Sequence, residues 1–147
     1  MRERRLAREV AVQALYEIAQ SGASWQSALQ ANVERRAAVA AVAAYAGRLV
    51  GAVDAHRDEI AACLRGVLQH WDLERLAIVD RCVLEVATAE ILFFPDVPPR
   101  VSIDEAVEVA RKFSSSESAP FVNGVLDRIA RDRAASPPPA GALEPES

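Results

Sequence analysis

The sequence contains few of the residues from which metal and catalytic sites are usually built. It has two cysteines, Cys63 and Cys82, and two histidines, His56 and His70, with no cysteine near either histidine at the spacing of metal ligands. Because a zinc site needs three or four converging ligands, we predict no metal site. No phosphate-binding loop, dinucleotide fingerprint or nucleophile elbow occurs in the chain. These absences argue against an enzyme, and we predict no cofactor.

Long apolar runs and a secretion signal are also missing. The longest uncharged apolar-rich run covers residues 37–47 and is too short to span a bilayer. Arg8, Glu9 and Glu17 interrupt the stretch in which a signal peptide would need an apolar core. Without such a signal, reduced thiols are the default state of the two cysteines. We therefore expect a soluble cytoplasmic protein.

Aromatic residues make up only 5% of the chain, although 51% of its residues are hydrophobic and many of those are alanine or valine. Alanine is the most favourable residue in a helix, and its small side chain lets neighbouring backbones approach. This composition therefore favours close-packed helices. The net charge of −4 argues against a protein that coats nucleic acid nonspecifically, because such proteins are basic overall. A local basic patch remains compatible with that charge.

The spacing of apolar residues predicts helices throughout and no sustained strand alternation. We expect Asp72 to cap the central helix, and Ser102 with Glu105 to form a capping box. Residues 1–133 are predicted to form one all-α domain, and the proline-rich residues 134–147 a disordered tail. The predicted helices cover about residues 3–20, 24–33, 37–53, 60–67, 72–94, 102–113 and 120–133.

Four arginines, Arg2, Arg4, Arg5 and Arg8, lie within the first eight residues. Arg4 and Arg8 are one helical turn apart and Arg5 borders them, so the cluster can follow two or three phosphates of an RNA strand. The alternative is a solvated first turn without a ligand. Cations at a helix N-terminus oppose the macrodipole at a cost of roughly a few tenths of a kcal/mol each, which favours a further role.

A second candidate site lies at the start of the last predicted helix, after a serine-rich loop. Phe121 stands where free backbone N–H groups can meet an anion, and its alternative role is that of a core phenylalanine. Asn123 and Gly124 are poor residues for a helix interior, Gly124 by about 1 kcal/mol. A glycine at this place suggests the close approach of a neighbouring helix or of a ligand.

Several segments of the chain share their pattern with a known family. They comprise residues 8–16 (REVAVQALY), 71–76 (WDLERL), 80–84 (DRCVL), 96–107 (DVPPRVSIDEAV) and 121–127 (FVNGVLD). Together they resemble the NusB family of bacterial transcription antitermination factors. The resemblance extends over about residues 4–132, is weakest between 22 and 65, and is most specific in the last two segments.

The resemblance implies a compact bundle of about seven helices in two subdomains. It also implies binding of a single-stranded boxA RNA element in leader and ribosomal RNA transcripts, together with NusE, the small-subunit ribosomal protein that doubles as an elongation factor. Acting in the transcription elongation complex, the two proteins help RNA polymerase to read through terminators, mainly in ribosomal RNA operons. Some relatives dimerise and hide the RNA face, so a homodimer stays open.

The resemblance also implies roles for individual residues. An acidic surface facing NusE would include Asp80. The RNA-binding residues would be the arginines of the start, two residues of the last loop and the aromatic residue after it: Arg4, Arg5, Arg8, Glu117, Ser118 and Phe121.

Two positions depart from the family pattern. Glu85 stands where relatives often carry arginine, and Ala89 stands where they often carry tyrosine before Glu90. These changes could weaken RNA contact, alter the NusE surface or reflect different core packing. One alternative function is therefore a helical scaffold that binds NusE or itself without RNA. Another is the NusB-like accessory domain of some RNA cytosine methyltransferases, which the lack of a following catalytic domain disfavours.

Overall fold

The computed structural model describes residues 2–68 and 73–135, and over these residues the chain forms helices and no strand. This confirms the predicted all-α class and the number of helices. Residues 136–147, which carry most of the predicted tail, lie outside the described residues, as does Asp72. The helices are α1 (Arg2–Ser21), α2 (Trp25–Arg35), α3 (Ala40–Ala55), α4 (Arg57–Val67), α5 (Ile78–Phe93), α6 (Pro99–Phe113) and α7 (Ser118–Ala134), with a 3-10 turn at Leu73–Arg75.

The first helices begin and end as the local sequence predicts. Gly22 ends α1 with a φ of 71° and donates its N–H to the carbonyl oxygen of Ile18 at 2.8 Å. Glycine adopts this left-handed conformation without the steric cost that other residues meet. Ser24 caps α2, because its Oγ accepts a hydrogen bond from the backbone N–H of Ser27 at 3.2 Å. The predicted break between α3 and α4 falls at His56.

The predicted start of the central helix is wrong. Helix α5 begins at Ile78, six residues after Asp72, and Ala77 stands at its N-cap position. The intervening chain includes the 3-10 turn, whose Leu73 is buried. A buried leucine holds this turn against the core, and that packing overrides the capping preference of an aspartate in the sequence.

The predicted capping box at the start of α6 is also wrong. Pro99 is the first residue of α6, where the missing N–H of a proline would have had no helical partner in any case. Ser102 therefore lies inside the helix, and its Oγ donates to the buried carboxylate of Glu90 at 2.7 Å. Glu105 instead pairs with Arg5 of α1.

The helices pack as two groups that share one core. α1, α2 and α3 form the first group and α4 to α7 the second, and α1 packs against α5 where the groups meet. This division agrees with the two-subdomain bundle that the resemblance implies. The core is contiguous and apolar, and includes Val10, Leu49, Leu84, Phe93 and Leu126. Within the described part of the chain, no helix is both long and apolar enough to cross a membrane.

A charged network crosses this apolar core at Glu90, which is only 1% exposed. Its Oε1 accepts hydrogen bonds from Arg8 Nε at 3.0 Å and Ser102 Oγ at 2.7 Å, and its Oε2 accepts one from the Tyr45 hydroxyl. Burial, together with the charge of Glu90, raises the pKa of Tyr45. The carboxylate on α5 therefore connects α1, α3 and α6, which fixes the first helix relative to the sixth.

Candidate nucleic-acid interface

Arg5 presents a charged side chain at the surface in a fixed geometry. Its side chain is 50% exposed, and its Nε and Nη2 donate to the two carboxylate oxygens of Glu105, each at 2.8 Å. The hydrogen bonds from Arg5 lower the pKa of Glu105. The same planar fork of N–H donors fits two oxygens of a phosphate, so Arg5 has the chemistry of an RNA contact.

Arg4 lies beside this pair on the first turn of α1. Its guanidinium carbon is 4.5 Å from the centre of the Tyr45 ring, and its Nη2 is 3.9 Å from Oδ2 of Asp96. The side chain remains 38% exposed. The ring attracts the cation through its face and holds it near Arg5 without fully neutralising its charge.

Arg8 belongs to the same cluster but lies beneath its surface. Its side chain is 6% exposed and its guanidinium is bonded to Glu90. Its Nη1 also lies 3.8 Å from Oε1 of Glu105, so Arg8 supports the carboxylate that holds Arg5. The structure thus places Arg8 where it positions its neighbours, and a direct phosphate contact would require it to leave Glu90.

Two open grooves meet at the pair of Arg5 and Glu105. The first, of about 780 Å³, lies between the start of α1 and the segment before α6, and its lining includes Arg4 and Val101. The second, of about 700 Å³, lies between α6 and α7 and extends to Asn123. Because Arg5 and Glu105 line both grooves, the surface continues from the N-terminus of α1 to the face of α7.

The loop before α7 brings two of the predicted residues into contact with each other. Ser118 is 8% exposed, and its Oγ donates to Oδ2 of Asp80 at 3.0 Å. Ser114 donates to Oδ1 of the same carboxylate at 2.7 Å. Glu117 is exposed at the N-cap position of α7, where its side chain makes no capping hydrogen bond. Glu117 therefore faces solvent, whereas Ser118 fixes the loop to α5.

Phe121 is partly buried and packs against the core, which agrees with the alternative role that the sequence left open. Asn123 and Gly124 are exposed on α7. A Cβ built on Gly124 would have no atom within 4 Å, so no neighbouring helix approaches it. A neighbouring helix therefore does not explain this glycine.

The two departures from the family pattern lie in different surroundings. Ala89 is 0% exposed, so the change from a large aromatic residue to alanine is a change of core packing. Glu85 is partly buried, and this desolvation raises its pKa although Arg81 and Arg57 oppose the shift. The departure at Ala89 therefore changes the packing of the core, whereas the departure at Glu85 changes a charge.

The sequence reasoning missed Glu105, Tyr45 and Glu90, which contact the arginines of α1. The spacing of Ser102 and Glu105 predicts a capping box and so gives Glu105 a different role, and Tyr45 lies where the resemblance is weakest. A signal for Glu90 was available, because a charged residue in the middle of a long apolar helix needs a buried partner. The arginine that supplies this partner is 82 residues away in the chain, and periodicity within one helix cannot identify it.

Comparisons with known proteins identify the family of the chain. The sequence model of the NusB family matches residues 5–131. The chain is 39% identical over 138 residues to the transcription antitermination protein NusB of Myxococcus xanthus, covering 88% of this chain and 96% of that protein.

Solved structures give the same result. T. maritima NusB superposes with a TM-score of 0.83 at 33% identity, covering 89% of this chain and 92% of that one. A chain from a crystal structure of the antitermination factors NusB and NusE in complex with double-stranded RNA superposes with a TM-score of 0.83 at 28% identity, covering 90% of this chain and 98% of that one. The sequence match, the superposed fold and the arrangement of the helices together show that this chain belongs to the NusB family.

Proposed function

We propose that this chain is a transcription antitermination factor that binds boxA-type RNA together with NusE and promotes processive transcription of ribosomal RNA operons. Its relatives are transcription antitermination proteins, and a chain of its fold has been crystallised with NusE and RNA. The proposed role is non-catalytic and is exerted in the cytoplasm as part of the transcription elongation complex. The RNA-binding unit is the single domain formed by residues 1–133.

The observation that carries this proposal is the half-exposed fork of Arg5 between two grooves. Two oxygens of a phosphate can replace the two carboxylate oxygens of Glu105 as acceptors for Nε and Nη2 of Arg5. Arginine binds carboxylates and phosphates through the same pair of parallel hydrogen bonds. Arg4 adds a second positive charge nearby, and the resemblance implies that the partly buried ring of Phe121 on α7 also contacts the RNA. We propose Glu117 and Ser118 as residues of the adjoining loop, with Ser118 acting by fixing the loop.

The charge of this surface favours weak binding by the chain alone. Asp96 and Asp104 border the first groove together with the arginines, so the local potential is mixed and not strongly positive. If about three phosphates are neutralised, the logarithmic salt slope for single-stranded RNA would be about −2. We therefore propose that NusE, bound on a surface that includes Asp80, extends the contact with the RNA.

Fluorescence anisotropy with a labelled single-stranded boxA-like RNA tests this function. The protein is titrated with and without NusE, and a scrambled RNA of the same length is the control. We expect selective binding that becomes tighter when NusE is present. Equal binding of both RNAs, or no binding even with NusE, would contradict the proposal.

Charge reversal of Arg5 tests the proposed contact. Arg5→Glu should abolish selective binding, since it removes the donor fork and adds a negative charge beside Glu105. Arg65→Glu is the matched control, because Arg65 is also a half-exposed arginine in an ion pair, with Glu74 on the 3-10 turn. Loss of binding with Arg65→Glu, or retention with Arg5→Glu, would show that the assigned surface is wrong.

The helical scaffold without RNA binding is the second candidate, and the acidic residues that line both grooves favour it. Asp104 and Glu105 border both grooves, and Glu108 borders the second. A scaffold would bind NusE, or a second copy of this chain, with an affinity that boxA RNA leaves unchanged. Sedimentation of the chain with NusE, in the presence and absence of RNA, separates the two functions.

A further inference from the structure

The carboxylate of Glu105 occupies donor groups of Arg5 that an RNA phosphate would use. Nε and Nη2 of Arg5 donate to its two oxygens, each at 2.8 Å. An arginine fork binds a carboxylate and a phosphate through the same pair of parallel hydrogen bonds. The two anions therefore compete for one pair of donors, and the folded protein itself supplies one of them.

Glu105 is charged and is held more firmly by the fold than Arg5 is. The hydrogen bonds from Arg5 lower the pKa of Glu105, so its carboxyl group is ionised at neutral pH. The side chain of Glu105 is 17% exposed, whereas that of Arg5 is 50% exposed. A ligand that enters from the grooves therefore reaches the arginine more easily than the carboxylate.

The charges around this fork balance when no RNA is bound. Arg5 and Arg8 supply the positive charges, and Glu90 and Glu105 supply an equal number of negative charges. A phosphate that approaches this cluster meets no net positive charge, although it meets an arginine of the right chemistry. The balance shifts toward RNA when the negative charge of Glu105 is removed or moved away from Arg5.

Arg8 offers Glu105 a second cation. Nε of Arg8 donates to Glu90, and its Nη2 lies 3.0 Å from Oε2 of the same carboxylate. Its Nη1 instead lies 3.8 Å from Oε1 of Glu105. A shift of the Glu105 carboxylate by about 1 Å would bring this pair to the usual hydrogen-bonding distance. Displacement from Arg5 therefore leaves the carboxylate beside a cation, which avoids the cost of an unpaired charge.

The other carboxylates that line the grooves have different partners. Glu108 pairs with Arg111 on α6, and it attracts Arg5 through its charge without a hydrogen bond. Asp104 is exposed, and its Oδ1 lies 3.9 Å from Nη1 of Arg100. Competition for the donors of Arg5 is therefore a property of Glu105, and Asp104 provides a neighbouring charge with which to compare it.

We propose that Glu105 is an internal competitor of RNA: a phosphate displaces its carboxylate from Arg5, and the carboxylate moves to Arg8. This inference rests on the proposed function and adds the residue that limits RNA binding. The competitor weakens every phosphate contact at Arg5 by the same factor. RNA that offers only phosphates is then bound too weakly to be retained, whereas RNA that gains further contacts, including those through NusE, still binds.

The first test is Glu105→Gln, which keeps the shape of the side chain and removes its charge. Anisotropy titrations at one low salt concentration measure its affinity for boxA-like RNA and for scrambled RNA. We expect both RNAs to bind about five- to tenfold more tightly than to the wild type, because Arg5 is no longer occupied by a charged acceptor. Unchanged or weaker binding would show that Glu105 positions Arg5 for RNA and does not compete with it.

Asp104→Asn is the matched control, because it changes the net charge by the same amount on the same two grooves. Its exposed carboxylate is screened by solvent and does not hydrogen-bond Arg5, so we expect an increase in affinity of about twofold or less. An increase equal to that of Glu105→Gln would attribute both effects to net charge and would overturn the competition.

The second test asks whether Glu105 acts through Arg5. In an Arg5→Ala background, Glu105→Gln should increase the affinity for scrambled RNA by no more than Asp104→Asn does, since the contested donors are absent. A gain of about five- to tenfold that persists without Arg5 would overturn the inference. Thermal unfolding of each variant shows that the compared proteins are folded, and the loss of this surface pair should change the melting temperature little.

Scrambled RNA separates this inference from the function on which it rests. If the wild-type protein binds boxA RNA selectively but Glu105→Gln binds neither RNA more tightly, the competition is overturned alone. If the wild type shows no selectivity with NusE, yet Glu105→Gln gains affinity for scrambled RNA through Arg5, the proposed function is overturned and the competition stands. If neither protein binds any RNA at low salt, both are overturned.

Discussion

The hydroxyl of Ser118 donates to a carboxylate oxygen of Asp80 at 3.0 Å, and this bond ties the start of α7 to the first turn of α5. Ser114 occupies the other oxygen of the same carboxylate. The resemblance assigns Ser118 to the RNA side and Asp80 to the NusE side of the protein. Because the two residues are bonded, a partner that engaged Asp80 would also act on the loop before α7.

The first prediction concerns this bond. Asp80→Ala should lower the free energy of unfolding by about 1–3 kcal/mol, since two hydroxyls lose a charged acceptor. Ser118→Ala should cost less, and the double variant should be less destabilised than the sum of the two. A coupling of at least about 0.5 kcal/mol is expected from urea unfolding followed by tryptophan fluorescence. Strictly additive losses would contradict the bond between the two side chains.

The second prediction concerns Arg8 and Glu90. Arg8→Ala should lower the free energy of unfolding by about 3–5 kcal/mol, because it leaves the buried carboxylate of Glu90 without its cation. Arg5→Ala, one turn away on the surface, should change it by less than about 1 kcal/mol. Thermal and urea unfolding of the two variants measure the difference.

A rescue variant separates a buried ion pair from simple packing at Arg8. Replacing both partners and the two hydroxyl donors of Glu90, as in Arg8→Met with Glu90→Leu, Tyr45→Phe and Ser102→Ala, should recover much of the lost stability, because neither an unpaired charge nor an unpaired hydroxyl remains in the core. If this combined replacement is as unstable as Arg8→Ala, the loss arises from the packing of the arginine stem. RNA binding by a folded Arg8 variant would then show whether Arg8 itself contributes.

Periodicity and local residue preferences predicted much of the fold. Gly22 and Ser24 act through their own backbone conformations and hydroxyls, which depend on a few neighbouring residues. The break at His56 and the bounds of α1 follow from the same short-range rules. These features depend on neighbouring residues alone, so they can be predicted from the sequence.

Two helix starts and most of the site depend on contacts between distant residues. The spacing of Ser102 and Glu105 fits a capping box, but α6 begins three residues earlier, at Pro99. Ser102 therefore lies inside the helix, and its hydroxyl donates to the carboxylate of Glu90. The pairing of Arg5 with Glu105 joins residues 100 positions apart. Arg5 is exposed and Arg8 is buried because of the way in which α1 packs on the other helices, and the sequence of α1 alone does not distinguish the two arginines.

The third prediction uses the salt dependence of RNA binding to test whether Arg5 neutralises one phosphate. Arg5→Ala should weaken boxA binding and reduce the magnitude of the logarithmic salt slope by about 0.7, the value for one phosphate on a single strand. Arg65→Ala should leave both quantities unchanged, since its ion pair with Glu74 lies on the 3-10 turn and α4. Anisotropy titrations across a range of salt concentrations give both values. An unchanged slope with Arg5→Ala would place the phosphate contact elsewhere.

The last prediction concerns Glu85, the charge that departs from the family pattern. Desolvation raises the pKa of Glu85 in the folded protein. The protonated carboxyl therefore favours folding, whereas the charged carboxylate disfavours it. The stability that the protonated form contributes is fully present below the pKa of the unfolded chain and is lost as the pH rises through the higher folded pKa. Glu85→Gln should therefore be more stable than the wild type at neutral pH, and this advantage should shrink as the pH falls toward the usual range of a glutamate.

Urea unfolding of both proteins at several pH values between neutral and mildly acidic measures this difference. Asp104→Asn, which removes an exposed carboxylate from α6, provides the reference for the loss of a surface charge. Arg81 and Arg57 attract the carboxylate of Glu85, and both attractions are lost in Glu85→Gln. If the variant is less stable than the wild type at neutral pH, the attraction of the two arginines outweighs desolvation, and Glu85 stabilises the fold as a charged residue.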